Sequence, residues 1–271
     1  MKNIPVSALI GLFFTALYFL AALFAPLLAP YGMAEVVGDV WEPSSADFLL
    51  GTDNIGRDLL TRMIYGGRTT IFIATAATII SFTTGSILGI FAAVSGGWVD
   101  QVLSRFVDLI MSIPTLIFAL VVLSVTPVTV PMLILVMGLL DSTRVYRLSR
   151  AVAVDIEVMD YVEAARLRGE KTAWIIFREI LPNALSPLVA EMGLRFIFMV
   201  LFVSTLSFLG LGVQPPEADW GGIVKENKDG IVYGIPAALI PAFAIATLAI
   251  SVNLVADWVL NRTTSLKGGR G

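Results

Sequence analysis

The chain has 271 residues, of which 57% are hydrophobic and 14% charged, with a formal net charge of −3. Soluble domains are about 45–50% apolar and about 25% charged, so this composition excludes an ordinary water-soluble fold and predicts an integral membrane protein. The chain has neither Cys nor His, which excludes disulfides, thiol nucleophiles, imidazole bases and His or Cys metal sites. Nothing in the charge balance indicates nucleic-acid binding.

Apolar segments of the length needed for membrane-crossing helices recur along the chain, since a span requires about 20 residues. The sequence predicts six spans, at residues 6–28, 69–94, 106–125, 128–146, 187–206 and 235–256, in one transmembrane domain covering residues 1–271. The first segment is also compatible with a signal peptide, but its apolar run is longer than the roughly 7–15 residues of a signal core. We therefore predict an all-α integral membrane protein with six transmembrane helices.

Lys and Arg residues are divided unequally between the two sides that these spans define. Of the 18 in the chain, twelve fall on the side of the termini, five on the other side, and Arg195 falls within the fifth span. The positive-inside rule then places both termini and segment 150–186 in the cytoplasm, and segments 29–68 and 207–234 outside. The twelve on the cytoplasmic side are Lys2, Arg105, Arg144, Arg147, Arg150, Arg166, Arg168, Lys171, Arg178, Arg262, Lys267 and Arg270.

The first external segment contains the stretch "GTDNIGRDLLTRMIYGGR", in which Asp53, Arg57 and Asp58 are predicted to cap and pair. Its apolar residues share one helix face, which is typical of a surface helix that meets another protein or of an interfacial helix that leads into the second span. The apolar face consists of Ile55, Leu59, Leu60, Met63 and Ile64.

The central cytoplasmic segment interrupts the apolar pattern with charges of both signs. The stretch "DIEVMDYVEAARLRG" predicts a short helix that ends at Gly169, because Gly readily adopts the left-handed conformation at helix ends. The following "EKTAWIIFREILP" predicts a second helix that Pro182 ends. A helix as short as the first is not stable alone in water. It must therefore dock, either on the chain's own cytoplasmic helix ends or on a separate cytoplasmic subunit.

Ionisable residues inside the predicted spans are costly and often functional. Glu191 and Arg195 are four residues apart in the fifth span, and Asp141 and Arg144 are three apart in the fourth, so each pair can meet on one helix face. The first pair is compatible with a solute pathway or with a structural ion pair near the cytoplasmic end of the span. The apolar residues at helical spacing beside this pair are compatible with a solute pathway or with a packing surface. They are Met192, Phe196 and Met199.

The second external segment contains "GLGVQPPEADWGG", where glycines supply backbone freedom and prolines a fixed elbow. It is compatible with a gate or docking surface, or with a simple connector. The candidate docking or gate residues are Gly210, Gly212, Pro215, Pro216 and Trp220. The stretch "GLGVQPP" lacks the Gly-Lys-Ser/Thr ending of a phosphate-binding loop, so the chain is not predicted to hydrolyse ATP.

Four stretches of the chain resemble a known family. Glu163-Ala164-Ala165, followed by Gly169 and then by Leu181-Pro182, resembles the EAA signature of permease subunits in bacterial ATP-binding-cassette (ABC) importers. The stretches "LGTDNIGRDLLTRMIYGGRTT", "RFVDLIMSIPTLIFAL" and "SFLGLGVQPPEADWGGIV" are similar to the dipeptide/oligopeptide/nickel group of these permeases. The sequence departs from that group at Glu179, at Asp141-Ser142 and in the tail after residue 257.

This resemblance implies a type I importer permease fold, in which the EAA segment is a coupling helix seated on an ATPase subunit. It also implies a bacterial inner membrane location and four kinds of partner: a second, homologous permease in a heterodimer, two cytoplasmic ATP-binding subunits, a periplasmic solute-binding protein and the lipid bilayer. ATP and Mg would be bound by the ATPase subunits, and this chain would bind no cofactor and no metal. The coupling residues that it implies are Asp160, Tyr161, Glu163, Ala164, Ala165, Gly169 and Lys171.

The resemblance indicates the cargo less narrowly than it indicates the architecture. Short peptides are the first expectation, with nickel complexes, opines and oligosaccharides as alternatives, and the family match favours docking over a simple connector for the second external segment. The hypothesis from another class is a self-sufficient ion-coupled transporter or channel. That class requires acidic residues facing a cavity in the membrane and has no need of a cytoplasmic docking helix.

Overall fold

The computed structural model of this protein describes residues 4–267, except for the side chains at positions 186, 190 and 261–267. Helices dominate this range, and its β pairing is limited to isolated bridges from Val36 to Arg57 and from Thr52 to Asp58. The predicted cytoplasmic location of the termini includes Lys2 and Arg270, and both residues lie outside the described range.

The longest connection between helices lies between the second and the third. They are α1 (Val6–Leu23), α2 (Ala25–Leu28), α3 (Leu59–Ser95), α4 (Gly97–Met111), α5 (Thr115–Val125), α6 (Val130–Glu157), α7 (Asp160–Leu167), α8 (Thr172–Trp174), α9 (Leu181–Phe208), α10 (Trp220–Asn227) and α11 (Leu239–Lys267). A π-helical turn, Ile175–Ile180, joins α8 to α9, and 3₁₀ turns, Lys228–Tyr233 and Pro236–Ala238, join α10 to α11.

Several of these helices are long and apolar enough to cross a membrane. Among the described residues, four single helices meet this condition, at Val6–Leu23, Leu59–Ser95, Pro187–Phe208 and Pro236–Leu260, and the bent pair α4 and α5 makes a fifth if it is one span. The fourth predicted span lies in α6, whose first 18 residues contain the charged side chains Asp141, Arg144 and Arg147. The six-span topology therefore remains a prediction.

The structure changes the expected helix boundaries in three places. The third predicted span is not one straight helix, because α4 and α5 are bent by 82° at a break before Thr115. Pro114 explains the break, since proline disfavours the helical conformation of the residue before it. The helix of the second span begins at Leu59 rather than near residue 69. The stretch 155–169 is divided between the end of α6 and a separate α7, with Val158 and Met159 between them.

Pro182 does not end the second helix of the central segment, contrary to the sequence prediction. The helix continues through α9 to Phe208. In the preceding π-helical turn the Leu181 N–H donates to the carbonyl of Ile176, five residues back. A proline inside an α-helix normally collides with the carbonyl four residues before it, and the wider π turn relieves this collision.

The chain divides into two compact units. The first comprises residues 1–75, 120–134 and 196–255. In it, α1 contacts α11 closely, because a side chain at Gly11 would meet the Ser251 carbonyl at 2.7 Å. Tyr18 and Thr247 join the same two helices through their hydroxyls, 2.5 Å apart.

The second unit comprises residues 76–119, 135–195 and 256–271. In it, α3 crosses α6 at two glycines, where added Cβ atoms would lie 2.6 Å from the Ser142 carbonyl (Gly85) and 2.5 Å from the Tyr146 carbonyl (Gly89). Small residues spaced four apart allow membrane helices to approach at their backbones. This crossing holds together the helices that carry the central segment.

Candidate functional site

Helix α7 is held on the second unit by one face. Val162 and Ala165 are fully buried, and they belong to a hydrophobic cluster that also contains residues of α3, α6, the π-helical turn and α9. The other face is free, with Glu163 and Ala164 exposed. The two alanines of the EAA signature therefore have different surroundings. Ala165 packs inside the chain, whereas Ala164 leaves space for a neighbour to approach.

The exposed side of α7 is apolar as well as charged. Leu167 is 84% exposed, Tyr161 41%, and Val158, just before the helix, 78%. Exposed apolar residues that cluster on one surface mark interaction sites. Sequence reasoning missed Leu167 and Val158, although helical spacing from Glu163 and Ala164 was a signal that could have found Leu167.

Gly169 ends α7 in the predicted conformation. Its φ is +79°, in the left-handed region, and its N–H donates to the Arg166 carbonyl at 2.9 Å, while the Glu170 N–H donates to the Ala165 carbonyl at 3.2 Å. These two bonds form a Schellman motif, which satisfies the carbonyls at the end of the helix. Lys171 then precedes α8, and Asp160 is the first residue of α7.

A buried carboxylate links the two predicted ion pairs. Glu191 and Arg195 pair at 2.6 Å on α9, and Asp141 and Arg144 lie 3.7 Å apart on α6. Asp141 is fully buried, accepts a hydrogen bond from Ser81 on α3 at 2.9 Å, and lies 3.5 Å from Arg195. Charges of both signs thus connect α6 and α9, and the Ser81 hydroxyl joins α3 to them. Asp141 therefore lies within ion-pair distance of two arginines, Arg144 and Arg195.

The apolar residues predicted to line a pathway differ in exposure. Met192 is 37% exposed, whereas Phe196 is 8% exposed and Met199 is fully buried. Phe196 packs against the ring of Phe19 on α1, with centroids 5.8 Å apart. In this conformation Phe196 and Met199 therefore serve packing, and Met192 is the most exposed of the three.

The "GTDNIGRD" stretch forms a buried ion network in the first unit. Asp53 Oδ2 accepts from Arg57 Nε at 2.6 Å and from Arg62 Nη1 at 2.9 Å. Glu226 Oε2, on α10, lies 2.8 Å from Arg57 Nη2 and 2.9 Å from Arg62 Nη2. The predicted pairing of Asp53 with Arg57 is confirmed, and the structure adds Arg62 and Glu226. The network fixes α10 against the start of α3.

Trp220 also holds α10 in place. It is 2% exposed, and its indole Nε1 donates to the Met63 carbonyl at 3.0 Å. A side chain at Gly67 would meet the indole at 2.8 Å, so this glycine makes room for it. Trp220 is therefore not available to a docking partner in this conformation.

The other predicted docking or gate residues differ in exposure. Gly212 is buried against Ser207, while Pro215 and Pro216, joined by a cis peptide bond, are exposed. Gly210 has a φ of +93° and is half-buried. The exposed part of this loop is thus the Pro215–Pro216 turn.

Asp219 caps α10 from a buried position. Its carboxylate accepts from the N–H of Gly221 at 3.1 Å and of Gly222 at 3.3 Å. Burial raises the pKa of Asp219 to about 7, although the Ser207 hydroxyl and the two amides act in the opposite direction. Burial also raises the pKa of Glu226.

We expect the protein to lose stability as pH rises from about 4 to about 7. The Asp219 proton leaves the unfolded chain near 3.8 but the folded chain only near 7, so the folded state binds more protons in this window and its advantage is lost as pH rises through 7. Thermal unfolding in detergent at several pH values measures this slope. In Asp219→Asn the slope should become smaller, with the remainder due to Glu226, while the exposed Asp39→Asn control keeps the wild-type slope. An unchanged slope in Asp219→Asn would contradict the assignment.

Within the described residues, no group of three or more Asp, Glu, His or Cys side chains is placed to hold a metal ion.

Comparison with known proteins gives matches over most of the chain. The family model described as "Binding-protein-dependent transport system inner membrane component" matches residues 85–265. The di/tripeptide transport system permease protein DppC of Pseudomonas aeruginosa is 34% identical, covering 92% of this chain and 85% of the relative. The dipeptide transport system permease protein DppC of Haemophilus influenzae is 32% identical over 92% and 87% of the two chains, and that of Alkalihalophilus pseudofirmus is 30% identical over 92% and 83%.

Proposed function

Since the chain belongs to the family of binding-protein-dependent transport system inner membrane components, we propose that it forms half of the translocation pathway of an ATP-driven importer. Its partners are a second, homologous permease in a heterodimer, two cytoplasmic ATP-binding subunits and a periplasmic solute-binding protein. The ATP-binding subunits bind ATP and Mg. The complex lies in the bacterial inner membrane, with the termini of this chain and segment 150–186 in the cytoplasm.

Short peptides are the proposed cargo. The names of the relatives, which are dipeptide and di/tripeptide transport permeases, support this choice. A peptide carries both an ammonium and a carboxylate group, and Glu191 and Arg195 offer one charge of each sign, each side chain 24% exposed. The proposal is that these two residues and Met192 meet the peptide on its way through.

The observation that carries the proposal is the division of α7 into a packed face and a free face. The packed face shares one hydrophobic cluster with residues of α3, α6 and α9, including Ile90, Ala153 and Leu188. A force applied to the free face is therefore transmitted to three long helices at once, because close-packed interiors transmit strain. ATP binding draws the ATPase subunits together, α7 moves with them, and the long helices open the pathway outward, as alternating access requires.

Replacing Leu167 with Asp tests this coupling surface. Because Leu167 is 84% exposed, the substitution should change the stability of the isolated chain by no more than about 0.5 kcal/mol. Loss of an anchoring side chain at an interface costs about 2 kcal/mol or more. The affinity for the ATP-binding subunits should therefore fall by at least roughly thirtyfold. The subunits should no longer copurify with the chain, and uptake should be lost.

Val232→Asp is the matched control, since Val232 is 86% exposed on the predicted external segment. It should leave the amount of ATP-binding subunit unchanged. Wild-type copurification and ATPase stimulation in Leu167→Asp would refute the proposed coupling surface.

A further inference from the structure

An apolar groove lies in the second unit, between the C-terminal part of α3 and residues 172–181. Its volume is about 420 Å³, and no charged side chain lines it. Its walls come from α3 on one side and from α8, the π-helical turn and the start of α9 on the other. The principal apolar lining residues are Ile87, Ile90, Phe91, Ala173, Ile176 and Phe177.

The mouth of the groove is formed by exposed apolar side chains. Ile87 is 62% exposed, Phe91 44% and Phe177 67%. The first two lie on α3, a helix long and apolar enough to cross a membrane, within the predicted span 69–94. Apolar side chains on the outside of such a helix are in contact with hydrocarbon, so an acyl chain matches the groove.

Two cations stand next to the groove in the chain. Lys171 precedes Thr172, Arg178 follows Phe177, and both are exposed. Neither forms an ion pair with any side chain that the structure describes, and the neighbouring acids Glu170 and Glu179 lie 3.9 and 4.0 Å from Arg168. Basic residues beside apolar surface on the cytoplasmic side of a membrane attract anionic headgroups.

We propose that this groove binds one anionic phospholipid of the cytoplasmic leaflet. Its acyl chain lies between α3 and residues 172–181, and its phosphate contacts Lys171 and Arg178. The cytoplasmic side rests on the topology in the proposed function, whereas the groove and the two cations do not. The bound lipid fills the space beside the segment that joins α7 to α9, so it stiffens the connection through which α7 acts on α9.

Photocrosslinking tests the site in the complete importer, purified and placed in phosphatidylcholine nanodiscs. Phosphatidylglycerol with a photoreactive acyl chain is added, and labelled peptides are identified by mass spectrometry. Labels should concentrate on residues 86–91 and 172–181. Ala173→Trp, which fills the groove, should abolish this labelling, while the control Leu109→Trp, at a position 66% exposed on α4, should leave it unchanged.

The headgroup contact is tested separately, in case Ala173→Trp perturbs folding. The double variant Lys171→Gln, Arg178→Gln should reduce the preference for phosphatidylglycerol over phosphatidylcholine by roughly thirtyfold, since each of the two cations near an anionic surface contributes about 1 kcal/mol. Equal labelling by both lipids in the wild type would overturn the proposal. So would displacement of the label by inorganic phosphate alone, or crosslinks from this groove to another subunit in place of lipid. The labelling does not depend on transport. If the Leu167→Asp experiment contradicts the proposed coupling surface, the labelling still tests whether the groove binds lipid.

Discussion

Replacing Asp53 with Ala should lower the free energy of unfolding by about 3 kcal/mol, because removing one member of a buried ion network leaves two buried arginines to share the single carboxylate of Glu226. Asp53 is fully buried, and one of its oxygens contacts both Arg57 and Arg62, of which Arg62 is 1% exposed. Its other oxygen accepts from the N–H groups of Ile55 and Arg57, both at 3.0 Å. The substitution therefore removes the turn as well as the ion pairs.

Thermal unfolding of the purified chain in detergent measures this effect. Asp47→Ala is the matched control, since Asp47 is an exposed carboxylate in the same connection between α2 and α3 and its loss should change stability by no more than about 0.5 kcal/mol. Equal melting temperatures for Asp53→Ala and wild type would show that the network contributes nothing to stability.

Replacing Gly85 with Leu should force α3 and α6 apart and destabilise the second unit by at least about 3 kcal/mol, above the usual effect of overpacking. The first atom of the new side chain would already lie 2.6 Å from the Ser142 carbonyl and 2.9 Å from the Tyr146 nitrogen. Backbone atoms cannot move aside as a flexible side chain does. Separation of the helices also breaks the 2.9 Å hydrogen bond from Ser81 to Asp141.

The yield of folded monomer after size-exclusion chromatography and its melting temperature report on this variant. Ile79→Phe adds bulk on the exposed side of the same helix, where Ile79 is 52% exposed, and should leave both quantities near those of the wild type. If Gly85→Leu behaved like this control, the close crossing of α3 and α6 would not exist in the protein.

The prediction at Gly169 was confirmed because a helix stop is a local property. The left-handed conformation and the two backbone bonds involve only neighbouring residues, and Gly is the residue that adopts this conformation without strain. The prediction that Pro182 ends a helix was wrong because the preceding turn is not a regular α-helix. Proline ends a regular α-helix, but the preceding π turn, whose Ile175 and Ile180 are buried in the cluster around α7, changes the geometry that proline meets.

Long-range pairing could not be predicted. Arg57 and Glu226 are separated by 169 positions, and a single sequence does not say which of several acids a given arginine contacts. Likewise, Gly85 and Gly89 are visible in the sequence as two glycines four apart, but only the structure shows that α6 is the helix they contact.

The sequence by itself determined the solvent and the class of this protein, because a chain so apolar requires lipid and a helix satisfies its backbone hydrogen bonds within itself. Its motifs also predicted a coupling helix that includes residues 160–167, where the structure has α7. The tertiary structure alone decided which face of α7 is free, giving Ala164 and Leu167 to the surface and Ala165 to the core. The physical reason is that burial depends on what packs against a helix, and these contacts come from residues distant in the chain.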